Sequence, residues 1–574
     1  MNFILRYIRP HFKYLGFTFV IKTAATLIEL IIPYILSHIV DVIVPKENVG
    51  EIVFWGFMMI LCAAAAYLCN VIANRRSVKT ARDTTEKIRH DLFHASLHLS
   101  CKNADRLTIP SLESRLTSDT YNLHHFIGMM QRIGVRAPLL LFGGVAITLV
   151  LDPYLALVMI AMLPFLALFV IFISKKTVPM YTEVQKKVDG MVRVVREDSQ
   201  GIRVIKALSK KDYERRRFDG ANRSLVKIEK KVGYVTALSN PVMQVFMNLG
   251  LVSVVLIGAY RVNGGLTQPG KIIAFTQYFT LISTSMMVLS RIFMAYSKGV
   301  ASANRIGEVI DMQNEITDMA ENDFPRGDES FHVSFENVSF GYHEGKNVLH
   351  DISFKLKRGQ TLGIIGATGS GKTTLAALLM RFYDVSEGSV KIGGRDVRSI
   401  DGDTLHSMFG VALQNDFLFA GSIKENIDFG RNLDFDAIKD GARRAQALEF
   451  IEQFDDGFEH AISSKGTNIS GGQRQRLLIS RALAGSPEIL ILDDSSSALD
   501  YKTDLSLRRA IAEQSGDTTV IIVAQRISSV MNSDLIIVLD EGRINGIGTH
   551  DELLKNCSIY KEISESQMGG AFLE

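Results

Sequence analysis

Leu362-Gly363-Ile364-Ile365 runs directly into Gly366-Ala367-Thr368-Gly369-Ser370-Gly371-Lys372-Thr373, and a helical pattern follows over Thr374–Arg381. A short apolar strand, a glycine-rich loop ending in Gly-Lys-Thr and a helix make a P-loop in the context it requires. Glycines let backbone N–H groups turn inward around phosphate oxygens. The helix N-terminus adds its partial positive charge. Lys372 is placed to reach the outer phosphates, and the Thr373 hydroxyl to meet Mg2+. The glycine spacing is not that of a dinucleotide fingerprint. The stretch predicts an α/β domain that holds a nucleoside triphosphate through Gly366, Thr368, Gly369, Ser370, Gly371, Lys372, Thr373 and Thr374.

Downstream, Glu488–Leu492 reads as a second apolar strand that ends in Asp493-Asp494. A carboxylate at the end of a buried strand near a P-loop suits Mg2+, which assigns Asp493 to the metal together with Thr373. Between the two lies Ile469-Ser470-Gly471-Gly472-Gln473, followed by helical Arg474–Ala484. Small residues with free N–H groups at a helix start form another anion site. The physics does not require both loops to grip one nucleotide.

From Phe331 onward, short β-branched and aromatic runs alternate with helical patterns, with some antiparallel strands expected near the start. Acidic and polar residues with Pro325 and Gly327 make a linker before it. The expected domains are therefore 1–310, a linker over 311–330, and 331–574.

The first of these domains is apolar. Spans long enough to cross a bilayer as helices centre in Tyr14–Val44, Ile52–Ala73, Phe126–Leu151, Tyr154–Ile173, Tyr234–Tyr260 and Ile272–Ala295. The chain does not open with the apolar core and cleavage site of a secretory signal, so the first span is expected to stay. Arg75, Arg76, Lys79, Arg82, Lys87 and Arg89 follow the second span, and a denser basic stretch joins the fourth to the fifth. The opposite loops, 45–50, 152–153 and 263–270, are short and nearly uncharged. Lys/Arg bias thus places the N-terminus and the basic loops in the cytosol. Phe3–Lys13 suits an interfacial helix leading into the bilayer. Val78–Leu99 and Val184–Lys231 read as membrane helices continuing into the cytosol.

Polar residues deep in a span face a cavity or a partner. Glu29 either neutralises a cationic substrate or pairs with Lys22, on the same face, or with another helix. Met243, Met247, Met286, Met287, Met294, Phe246, Phe275, Phe279 and Phe293 make adaptable apolar surface, for a promiscuous pocket, for lipid contact or for packing. His90, His94 and His98 share a helix face, but no acidic or cysteine ligand completes a metal set.

Composition excludes other classes. With 47% hydrophobic and 22% charged residues the chain is not disordered. A net charge of +3 is too balanced for nucleic acid, and four cysteines are too few for a disulfide scaffold.

These motifs together resemble a half-size ABC exporter of the six-helix type: an α-helical membrane domain fused to an α/β P-loop ABC nucleotide-binding domain. The likeness covers the whole chain, including Glu113-Ser114-Arg115-Leu116-Thr117-Ser118-Asp119 before the third span. In that family two halves dimerise and each ATP is sandwiched between one P-loop and the other half's signature loop. The resemblance implies that Tyr342, in Phe340-Gly341-Tyr342, stacks on adenine. It implies that Gln414, in Val411-Ala412-Leu413-Gln414-Asn415, contacts Mg2+. Ser470, Gly471, Gly472 and Gln473 would hold the partner's γ-phosphate, and Asp500, in Ser497-Ala498-Leu499-Asp500, would lie at the dimer interface. It also implies coupling helices near Cys101–Ser111 and Ile205–Tyr213.

Two positions depart from the pattern. The family places a Glu after the Mg2+-binding Asp as base for the attacking water, and this chain has Asp494. The switch histidine is replaced by Gln525, which hydrogen-bonds but cannot become cationic. A base displaced on the order of 1 Å costs about a hundredfold in rate. The P-loop here is expected to hold ATP and hydrolyse it poorly, while the intact signature loop serves a partner. That asymmetry marks heterodimeric exporters of the family. The expected activity is ATP-driven export of lipophilic or cationic small molecules across the cell membrane, beside a half-transporter with the complete Glu and His. The alternatives are an ATP-gated regulatory or channel-like subunit, a lipid flippase, or an importer on the same fold. A soluble nucleic-acid ATPase is excluded by the spans, and a peptide exporter with a protease domain is not expected, given the direct start into the membrane.

Overall fold

The computed structural model describes residues 2–312, 327–342, 345–414, 416–495, 499–514 and 516–568. The expected linker residue Pro325 and much of its neighbourhood lie outside them. The chain forms two compact units, Met1–Leu97 with Ile109–Met312, and His98–Thr108 with Gln313–Glu574.

The first unit is built from six long helices. They are α1 (Phe12–His38), α2 (Val49–Leu97), α3 (Thr120–Leu151), α4 (Pro153–Gln200), α5 (Lys211–Asn263) and α6 (Pro269–Ile310). Each carries a window apolar enough to cross a membrane. At about 1.5 Å per residue, helices of this length exceed the roughly 30 Å hydrocarbon core, so they project beyond it. The turn from α3 to α4 is a single residue. Asp152 accepts hydrogen bonds from the N–H groups of Tyr154 and Leu155 (3.0 and 3.3 Å), and Pro153 occupies the first turn. Over Val184–Lys231 the two extended membrane helices are separated by a short one. α4 stops at Gln200, Ile202–Ala207 forms a separate short helix, and Ser209 adopts φ 53° before α5 begins. A left-handed residue cannot propagate a right-handed helix. Before α1, a helix over Asn2–Ile8 and a turn at Pro10 lead in, with Ile4 and Tyr7 buried.

Within the spans, Leu30, Leu140, Met159, Met243, Tyr278, Phe279 and Ile282 form a buried cluster, and Phe246, Met247, Met286 and Met287 pack against it. For these Met and Phe side chains the packing reading holds. Tyr278 donates to the Leu30 carbonyl (2.7 Å). Gly250 lets α5 approach α6, because a Cβ there would overlap the Phe279 ring. Lower down, buried Asp119 accepts from Ser302 Oγ (2.8 Å) and from Arg305 Nε (2.7 Å), tying the start of α3 to the end of α6.

Among its described residues, the second unit holds twelve strands. β1 (Val333–Phe340), β2 (Leu349–Leu356), β4 (Glu387–Ile392) and β5 (Arg395–Asp396) form an antiparallel sheet in the order β2-β1-β4-β5. A second sheet orders β12-β11-β3-β10-β9-β6, from β3 (Thr361–Gly366), β6 (Phe409–Ala412), β9 (Ile489–Asp493), β10 (Thr519–Ala524), β11 (Leu535–Asp540) and β12 (Arg543–Gly548). All its pairings are parallel except β11 with β12. The small pair β7 (Gly421–Ser422) and β8 (Ala461–Ile462) lies apart. Every residue of β9 is buried, as expected for a parallel strand covered on both faces. The carboxyl ends of neighbouring β3, β10 and β9 open on one edge, where ligands bind in open α/β sheets.

Candidate functional site

Those three strand ends assemble the site. β3 delivers the P-loop and helix α7 (Lys372–Leu379), β9 delivers Asp493-Asp494, and β10 delivers Ala524-Gln525. Gly371 takes φ +100°, and a Cβ on it would stand 2.6 Å from Leu349 Cδ2. Only glycine fits this start of α7. A cavity of about 300 Å3 is lined by Tyr342, Thr368, Gly369, Gly371, Lys372, Thr373, Thr374, Gln414, Asp493, Asp494 and Gln525, with Val348, Val523 and Ala524. Residues spread over the whole second unit in sequence thus meet in one place.

Lys372 Nζ donates to the carbonyls of Gly366 (2.9 Å) and Ala367 (2.7 Å) inside the loop. Burial pushes its pKa down, against the pull of Asp493 and Asp494. Asp493 is 2% exposed, and its Oδ2 is buried without a hydrogen-bond partner. Burial pushes this carboxyl up, and a hydrogen bond with Thr373 offsets part of the rise. An orphaned carboxylate oxygen beside a threonine hydroxyl is a donor set that fits Mg2+.

Asp494 adopts φ 48° and donates its N–H to the Val523 carbonyl (2.9 Å). Its Oδ2 lies 3.4 Å from Gln414 Nε2 and 3.5 Å from Gln525 Nε2. Two neutral amides thus converge on one short carboxylate beside the P-loop. Tyr342 bonds Thr374 Oγ1 through its hydroxyl (3.1 Å) and meets the Tyr383 ring edge-on at 5.1 Å. Tyr383 in turn donates to Asp105 Oδ2 (2.6 Å) on the short helix Cys101–Leu107, which belongs to this unit. Sequence reasoning missed Tyr383. The available signal was an aromatic pair directly after the P-loop helix, Arg381-Phe382-Tyr383.

Ser470, Gly471, Gly472, Gln473 and Asp500 do not line the cavity. Ser470 caps helix α8 (Gly471–Leu483) in a capping box: its Oγ accepts from the Gln473 N–H (3.2 Å), and Gln473 Oε1 accepts from the Ser470 N–H (2.9 Å). Ser470 and Gly471 are exposed, so the loop presents a helix N-terminus outward. Asp500 accepts from Thr503, which holds its carboxyl below the usual range.

In the membrane unit, Glu29 lines a second cavity of about 530 Å3 with Ile32, Pro33, Leu251, Thr276, Gln277, Thr280 and Leu281. Its partner is Arg136 on α3 (Nη2–Oε1 2.5 Å, Nε–Oε2 3.1 Å) and not Lys22. Lys22 instead donates to Asn70 (2.6 Å) and Asn74 (3.2 Å) on α2. A carboxylate held by both oxygens is already neutralised, which weighs against its acting alone on a cationic substrate. Arg132 and Arg136, four apart in an apolar span, were the overlooked signal. Among the described residues no three His, Cys, Asp or Glu side chains gather as a metal site, His90, His94 and His98 included.

Comparison with known proteins agrees with this architecture. The family model described as the ABC transporter transmembrane region matches residues 15–286, and the model described as ABC transporter matches 349–497. The chain is 32% identical over 571 residues to the uncharacterized ABC transporter ATP-binding protein YfiB of Bacillus subtilis, covering 99% of each. It is 31% identical to a multidrug efflux ATP-binding/permease protein of Mycobacterium tuberculosis, covering 97% of this chain and 46% of that one. A solved bacterial Atm1-family ABC exporter with ATP bound superposes with a TM-score of 0.81 at 22% identity, covering 98% of both chains, a likeness of fold.

Proposed function

The chain belongs to the ABC transporter family, as a multi-pass membrane protein with a fused nucleotide-binding domain, and on that premise we propose that it is the degenerate-site half of a heterodimeric exporter of amphipathic small molecules. The observation that carries this reading is the pairing of Asp494 with Gln525 beside a complete P-loop. Backbone N–H groups of 366–373 and Lys372 bind the phosphates of ATP, and Tyr342 stacks on its base. Thr373, Gln414 and Asp493 would hold Mg2+, which supplies positive charge to the phosphate oxygens. Asp494 then has to position water with a side chain one methylene shorter than glutamate, and Gln525 brings no positive charge. Hydrolysis at this P-loop is accordingly slow.

The outward-facing Ser470–Gln473 loop serves the opposite site, formed with the P-loop, Glu and His of a second half-transporter. Two nonequivalent sites closing on ATP would drive the spans between inward- and outward-open states, and hydrolysis at the complete one would reset them. Support for small-molecule export comes from the multidrug efflux relative and from the apolar cavity beside Glu29.

The test is co-expression with candidate half-transporters. A one-to-one complex should hydrolyse ATP in response to lipophilic compounds, and the chain purified alone should have at most a few per cent of that rate, about a hundredfold loss being typical for a misplaced base. Brisk ATPase from the chain paired with itself would overturn the reading. Passive conductance with slow hydrolysis would favour the gating alternative.

A further inference from the structure

Glu29 is one carboxylate among three cations. Lys22 on α1 lies within electrostatic range of Arg132 and Arg136 on α3 and of Glu29, and no other acidic group acts on it from the elements packed there. Arg136 takes both oxygens of Glu29. Lys22 has only the neutral side-chain oxygens of Asn70 and Asn74, and Arg132 bonds the Gly128 carbonyl on its own helix (3.1 Å). Neither has a carboxylate partner among the described residues. Lys22 is 4% exposed, so it does not snorkel to the headgroups along an open surface. On the same turn as Arg132, Gln131 holds both amide atoms buried and without a partner among the described residues.

The Arg136 side chain is 42% exposed and paired, so the charge that a counter-ion would relieve is chiefly that of buried Lys22, and burying an unpaired charge is costly. The cavity beside Glu29 has an apolar wall of Ile32, Pro33, Leu251 and Leu281, which suits a hydrocarbon tail, and a polar one of Thr276, Gln277 and Thr280. We propose that the cluster of Lys22, Arg132 and Arg136, closed on one side by Glu29, is the recognition site for the anionic head of an amphiphile whose tail occupies the adjoining apolar cavity. The head is a carboxylate or phosphate, carried by a free solute or by a membrane lipid. Glu29 is then the element that keeps Arg136 oriented rather than a receptor for cations. For its role as cargo site the inference rests on the export reading above, but its binding step does not.

The test uses the full chain in phosphatidylcholine nanodiscs, without nucleotide. The probes are a dansyl-labelled fatty acid, its methyl ester and the matching primary amine. One or two charge-assisted hydrogen bonds should make the acid bind at least about tenfold tighter than either analogue. Arg132→Gln, which leaves the Glu29–Arg136 pair in place, and Lys22→Met should each bring the acid close to the ester, and Arg132→Lys should retain most of the preference. Thermal melting of each variant checks its folding independently. Phosphatidylglycerol in the disc that displaces the acid identifies a lipid head as occupant, and unchanged binding identifies a free solute. Equal binding of all three probes, tighter binding of the amine, or an acid affinity indifferent to both substitutions in folded protein would overturn the proposal. Amphiphile-stimulated ATPase without the acid preference would remove this site and leave the export reading. The acid preference without any transport would do the reverse.

Discussion

Asp493 shows how one residue carries both binding and pH behaviour. It ends a wholly buried strand, so desolvation raises its carboxyl above the ordinary range, and one oxygen finds no protein partner. With Asp493 in the proposed Mg2+ site, a proton and Mg2+ would compete for that carboxylate, so on acidification the proton would gain earlier than at an exposed aspartate. Mg2+-dependent ATP affinity should therefore weaken as pH falls, from a pH above the usual carboxylate range. Asp493→Asn should lower the affinity and flatten this dependence, as measured by nucleotide titration with and without chelator. For folding the sign is the opposite. The folded pKa is raised, so the group favours the folded state below its unfolded pKa, and this is lost as pH rises through the folded value. Asp493 and Lys372 were legible in the sequence, because local motifs place them. The Gln414 and Gln525 contacts with Asp494 were not, because they join residues from different strands.

At the scale of elements, close packing of helices depends on small residues. Gly250 on α5 faces Phe279 on α6 with no room for a Cβ. Gly250→Val should force the ring or the helix aside and cost about 1–3 kcal/mol, lowering the melting temperature of the detergent-solubilised chain, with Gly250→Ala falling in between. Six apolar spans were readable from length and hydropathy alone, and the parallel sheet from its continuous apolar runs. The resemblance implied a short coupling helix near Ile205–Tyr213, but its bounds at Gly201 and Ser209 were not readable, because periodicity passes through a short turn unchanged. The Tyr342–Tyr383–Asp105 chain was also hidden, since it joins the end of an inner strand of the antiparallel sheet, the segment after the P-loop helix and a distant short helix.

For the whole molecule, the proposed heterodimer with unequal sites predicts an unequal response to mutation. In the one-to-one complex, Asp494→Asn should change ATPase by less than about twofold, because this site contributes little turnover. Replacing the partner's catalytic glutamate by glutamine should lower it by about a hundredfold or more. Comparable losses from both changes would show two working sites. The sequence by itself determined the two-part architecture, the P-loop, the second anion-binding loop and the two departures at Asp494 and Gln525. These follow from contiguous residues, whose chemistry and period are local. Only the tertiary structure decided that Arg136 rather than Lys22 holds Glu29, that Lys22 lies within electrostatic range of Arg132 and Arg136, and that the Ser470 loop stands away from the cavity of its own chain. Pairings between helices depend on rotation and depth, which no linear pattern specifies.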